Sequence, residues 1–140
     1  MKRFAIFLGV LSILVAGSAD AKKPTRMLMH TFQDGSAIIF VAIVDETTAP
    51  QGVVRSSDPA RQRTFSVSRQ QFEQMWRTLE SVPQKYAGGE GASRTFDAAS
   101  NFIFSVGYMP NGKKTNYVIP KNSAFSPVVA LARQLEAYAH

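Results

Sequence analysis

The chain of 140 residues contains no cysteine. That excludes disulfides, thiolate metal sites, a cysteine nucleophile and a lipid-anchoring cysteine. Histidine is nearly as scarce. His30 lies in an apolar, strand-like stretch and His140 is the last residue. A zinc site needs three or four converging ligands, and two histidines so far apart in sequence do not supply them. Neither a metal nor a cofactor is expected. Negative charge is also short, with 10 Asp and Glu against 16 Lys and Arg, a formal net charge of +6. No apolar run is long. The longest, Phe4 to Ala16, covers 13 residues broken only by Gly9 and Ser12, below the roughly 20 that a spanning helix needs.

What is present begins with an address. Met1-Lys2-Arg3 gives a positive start, the apolar run follows, and Ala19-Asp20-Ala21 forms an A-x-A cleavage site before Lys22. These are the parts of a secretory signal in their required order. Residues 1–21 are therefore expected to be a signal peptide and residues 22–140 a single domain, periplasmic or secreted, with no stable membrane span after cleavage. Removing Lys2, Arg3 and Asp20 leaves 14 basic and 9 acidic side chains on 119 residues, a formal charge of +5. A domain of about 120 residues hides roughly two-thirds of its unfolded surface, enough to be stable without a covalent staple.

Arg26 to Asp45 reads as a β-hairpin about Asp34-Gly35, a dipeptide suited to the positive φ angles of a type I′ turn. That turn sets Thr31 opposite Ile38 and His30 opposite Ile39. The return strand is apolar on both faces: Ile38, Phe40, Ala42 and Val44 on one, Ile39, Val41 and Ile43 on the other. Such a strand is expected to be covered on both sides. Glu46 to Gly52 reads as a loop, and Arg61 to Val67 as a further strand. Ser68 with Gln71 forms a capping box, and Val67 with Phe72 the matching hydrophobic staple. Phe72, Met75, Trp76 and Leu79 then recur at helical spacing, and Pro83 closes the helix. Ser100 to Tyr108 and Lys113 to Ile119 form a second hairpin about Asn111-Gly112. Phe102, Phe104, Val106 and Tyr108 share its apolar face, and Ile103, Ser105, Gly107, Lys114, Asn116 and Val118 its mixed, wetter one. Ser126 and Pro127 open a last helix with Val128, Leu131, Leu135 and Tyr138 as its stripe. The order hairpin, strand, helix, hairpin, helix predicts an α+β fold: an antiparallel sheet of about five strands with two helices packed on one face.

No catalytic constellation emerges. A nucleophile needs a neighbouring base, and the two histidines have no such setting. Paired carboxylates can hydrolyse glycosides, but Asp34 is used by a turn and Glu73, Glu80 and Glu136 fall on expected solvent faces of helices. Asp45, Glu46 and Asp97 are left as the acids of a minor hydrolase reading. Gly88, Gly89 and Gly91 form a glycine-rich loop without the strand before it or the Lys-Ser/Thr helix after it that a phosphate loop requires; such a loop can still close over a partner. Arg55, Arg61 and Arg63 flank one loop, and Lys113, Lys114 and Lys121 cluster on the second hairpin. Basic residues at such places blunt edge-to-edge aggregation or form an anion surface. The basic-Gly-aromatic opening of an RNA-binding sheet is absent, and export argues against nucleic acid.

Two helices cover one face of a sheet. The other face must then meet a loop, a second copy in a homodimer, or a partner, and an exposed apolar patch marks such a site. Phe32, Ile39, Val41 and Ile43 are the expected contact face. The sequence thus points to an exported, non-enzymatic binding module that contacts another protein or an anionic envelope component. The alternative is a small-ligand or anion carrier with a pocket between sheet and helices.

Overall fold

A computed structural model of the chain describes residues 25–88, 97–109 and 112–140. The expected signal peptide, Gly89, Gly91 and Asn111 lie outside the described residues. The fold is α+β. Its strands are β1 (Thr25–Asp34), β2 (Ala37–Asp45), β3 (Pro50–Ser56), β4 (Arg63–Ser66), β5 (Ala87–Gly88), β6 (Asn101–Met109) and β7 (Lys114–Pro120). Helix α1 (Arg69–Glu80) follows β4, and α2 (Ser126–Ala137) follows β7. All seven strands form one sheet, in the order β4-β3-β2-β1-β6-β7-β5, and every neighbouring pair is antiparallel.

The two strands beyond the expected five have local causes. The stretch expected to open as a loop begins pairing at Pro50, opposite Asp45; proline is tolerated at the first position of a strand, where no ladder N–H is missed. The chain then turns through Asp58, whose side chain accepts from Ala60 N–H, and returns as β4. Strand β5 is a two-residue addition that pairs with Tyr117 and Asn116.

Both hairpins keep the expected faces but shift register by two residues. Asp34 pairs with Ala37 and Thr31 with Phe40, so the tight turn is Gly35-Ser36. Gly35 has φ 62°, and glycine at the first central position is what a type II′ turn uses. In the second hairpin Phe104 faces Tyr117 and Phe102 faces Ile119. The Gly112 N–H donates to the Tyr108 carbonyl at 2.9 Å, a wider connection than a two-residue turn.

Helix α1 begins as its capping residues dictate. The Ser68 hydroxyl accepts from Gln71 N–H and the Gln71 side chain accepts from Ser68 N–H. Val67 and Phe72 are both buried beside it. Helix α2 begins one residue earlier than expected. Phe125 is its N-cap, no side chain caps it, and the Phe125 carbonyl accepts from Val128 and Val129.

Both helices lie on one face of the sheet. The layer between is filled by Leu28, Ile39, Val41, Ile43, Val54, Phe104 and Ile119 from the strands, and by Phe72, Met75, Leu79, Val128, Leu131 and Leu135 from the helices. Burying a side chain of this size contributes about 1.5–3 kcal/mol, so this layer is the principal source of stability.

Candidate functional site

Strand alternation and the register decide which side chains the helices leave uncovered. In β1 the covered set is Leu28, His30 and Phe32, so Met27, Met29 and Thr31 point the other way. The pairings carry this across the sheet: Thr31 meets Phe40 and Ile103, Met29 meets Ala42 and Ser105, and Met27 meets Val44 and Gly107. Beyond β6, Ile103, Ser105 and Gly107 meet Val118, Asn116 and Lys114. These rows form an open sheet face.

The contact face expected from the sequence is therefore corrected. Phe32, Ile39, Val41 and Ile43 are buried beneath the helices. The opposite side of the same strands is the free one, and Phe40, at 37% exposure, is its most exposed aromatic.

A groove of about 320 Å³ crosses this face. Its walls are Met27, Met29, Phe40, Ile103 and Val118, with Thr31, Ser105, Asn116 and Lys114 as polar members. The polar members are unevenly placed. The Ser105 hydroxyl donates to Asn116 Oδ1 at 2.6 Å, one row from Lys114, so three polar side chains occupy the β6–β7 corner. Gly107, opposite Lys114, shapes that corner. A Cβ there would come within 2.6 Å of the Lys113 carbonyl oxygen and 2.9 Å of Lys114 Cα, so the backbones approach closely where a side chain would otherwise stand.

A second, wider groove of about 820 Å³ runs along the β5–β7 edge, lined by Gln84, Ala87, Gly88, Gly112, Lys113, Lys114, Thr115 and Asn116. Gly88, Lys113 and Lys114 are thus brought together, and Lys114 and Asn116 belong to both grooves. The other basic residues do not join them. Arg55 sits opposite Phe40 on the open face. Arg61 pairs with Asp34 at 2.7 Å, and Arg63 donates to the His140 backbone oxygen at 2.8 Å, so both tie chain segments together. The Lys121 ammonium lies 5.4 Å from the Phe102 ring centre.

Of the three carboxylates expected on solvent faces of the helices, Glu80 is exposed, while Glu73 and Glu136 meet side chains of the sheet. Arg26 donates to Asp45 at 2.7 Å and also to Glu73, while Arg69 reaches the other Asp45 oxygen. The Arg26 guanidinium also stands 4.9 Å from the Phe72 ring centre and 5.2 Å from that of Trp76. Burial pushes the Asp45 carboxyl up, but the hydrogen bonds and charges of Arg26 and Arg69 outweigh it and hold the group below its ordinary 3.8. The hydrogen bond from Arg26 holds Glu73 below its ordinary 4.5. Asp97 is held low by the Ser100 hydroxyl and Ala99 N–H. A carboxyl with a lower pKa in the folded state stabilises the fold fully above its unfolded value and loses that contribution as pH falls through the folded value. Acid titration of thermal unfolding should therefore show stability falling below about pH 4.5, with a shallower fall in Arg26→Ala. Equal slopes in the two proteins would contradict the assigned pairing.

His30 was without a role in the sequence and has a structural one here. It is 1% exposed and stacks between Phe32 and Phe104, with ring centres 5.3 and 4.7 Å away. Its Nδ1 donates to the Ile103 carbonyl at 2.9 Å, and its Nε2 lies 2.8 Å from Glu136 Oε2. A carbonyl only accepts, so Nδ1 carries a hydrogen and the Nε2–Glu136 pair holds one proton between them.

Among the described residues, no three His, Cys, Asp or Glu side chains come together to hold a metal ion, and no helix is long and apolar enough to cross a membrane. Comparison of the chain with known family models, curated proteins and solved structures finds no match.

Proposed function

We propose that the chain is an exported, non-enzymatic binding module that engages another protein or an anionic envelope component through the open sheet face. Export rests on the N-terminal segment alone, and predicts a mature protein beginning at Lys22. The observation that carries the binding reading is the composition of the open face. It offers Met27, Met29, Phe40, Ile103 and Val118 around one groove, while the hydrophobic core is already complete on the other side of the sheet. An apolar patch that the fold does not use for its own core is a mark of interaction.

The acid-based alternative has less support. A general acid at neutral pH needs its carboxyl pushed up, whereas Asp45 and Asp97 are both held down. A carrier remains a form of the same reading, with the ligand on the open face in place of the sheet–helix layer.

Site-specific photo-crosslinking tests the proposal. A benzophenone side chain is placed at position 40 on the open face or at position 74, an exposed position of α1, and the protein is irradiated in the cell that makes it. Adduct masses are then read by mass spectrometry. A discrete adduct from position 40 and none from position 74 is the expected result. Equal adducts from both positions, or none from either, would overturn the assignment of this face.

A further inference from the structure

We infer that the open-face groove is a site for a single-chain anionic amphiphile, an acyl carboxylate whose head sits at Lys114 and whose chain crosses the sheet toward Phe40. The inference rests on the open-face reading above and gives it a ligand class.

Three features converge on this ligand. The first is size. At about 320 Å³ the groove falls at the small end of the range for small-molecule sites. The second is internal polarity. Lys114, Asn116 and Ser105 are gathered at the β6–β7 corner. Phe40 lies three strands across from β7, and its row ends at Val118, four residues along β7 from Lys114, so the track past Met29 and Ile103 runs diagonally over about 20 Å at ordinary strand spacing and rise. A head at one end and an apolar track at the other match an amphiphile lying across the strands. The methionine side chains on that track adapt to a flexible chain.

The third feature is charge. The open-face positions of the described strands carry Arg55 and Lys114 and no Asp or Glu. Asp34 and Asp45 fall on the helix side of the strands, with Glu73 and Glu136 above them. Among the described residues, no carboxylate lies within ion-pair distance of Lys114.

The test is a titration of the mature protein, carrying methyl-labelled methionine, followed by NMR. The probes are laurate, dodecanol and acetate, each below its aggregation concentration. Laurate should shift the Met27 and Met29 methyls and leave that of Met75, which is buried beneath α1. Dodecanol should bind roughly tenfold more weakly, acetate should shift nothing, and Lys114→Ala should weaken laurate by the same roughly tenfold factor without altering dodecanol. An unchanged Met75 signal in Lys114→Ala reports that the variant is folded. If laurate and dodecanol bind equally and Lys114→Ala changes neither, the anionic head is overturned while binding at the open face stands. If laurate leaves Met27 and Met29 unmoved, the amphiphile inference is overturned, and photo-crosslinking at position 40 separately decides the open-face reading.

Discussion

Trp76→Ala lowers the free energy of unfolding by about 3–5 kcal/mol, the usual cost of removing a buried aromatic. The indole is 8% exposed. It stacks on Phe72 at 5.9 Å, meets the edge of Tyr108 at 5.8 Å, and lies 5.2 Å from the Arg26 guanidinium. It thereby links α1, β6 and the Arg26–Asp45–Glu73 cluster. Its removal leaves a cavity and takes away the ring over which a partly desolvated cation rests, a contact worth about 0.5–2 kcal/mol by itself. Denaturant midpoints at constant slope give the measurement. A change below about 1 kcal/mol would mean that the indole is not part of the packed layer.

His30→Ala costs a similar amount, about 3–5 kcal/mol, for a different reason. Part is the space left between Phe32 and Phe104. The rest is the loss of the two hydrogen bonds to the Ile103 carbonyl and to the part-exposed Glu136 carboxylate, each worth about 0.5–1.5 kcal/mol. The two parts separate in His30→Phe, which refills the space but restores neither hydrogen bond. That variant should retain a loss of about 1–3 kcal/mol. If His30→Phe equals the native protein in urea unfolding, the imidazole contributes only its volume.

The residues that were easy to read in the sequence are those whose causes are local. Ser68, Gln71, Val67 and Phe72 lie within a few positions of one another, and together they specify where α1 starts without reference to the rest of the chain. The hairpin faces were legible for the same reason, because period-two alternation survives any even shift of register. The registers were not. Thr31 opposite Ile38 and Thr31 opposite Phe40 put the same side chains on the same faces, so the pattern could not distinguish an Asp34-Gly35 turn from a Gly35-Ser36 turn.

The choice of covered face was hidden by β2, which offers Ile39, Val41 and Ile43 on one side and Ile38, Phe40, Ala42 and Val44 on the other. The second hairpin held the missing information. Phe102, Phe104 and Tyr117 marked its covered side, and Ser105, Lys114 and Asn116 its open one. What joins the two hairpins is the pairing of β1 with β6, in which Leu28 meets Val106 and His30 meets Phe104. That contact spans more than seventy residues, and nothing near His30 announces it. Glu136 and Glu73 were misplaced for a related reason. An acid on a helix reads as solvent-facing until a histidine or arginine from a distant strand is found beneath it.

The open face is spare rather than structural if its most exposed aromatic can be replaced by a charge without unfolding the protein. Denaturant unfolding of Phe40→Asp measures this directly. The expected loss is within about 1 kcal/mol, the cost of a poor strand former at an exposed position. A loss of about 3 kcal/mol or more, the penalty for an unpaired charge in a buried site, would contradict it and mean that the fold already uses this face for itself.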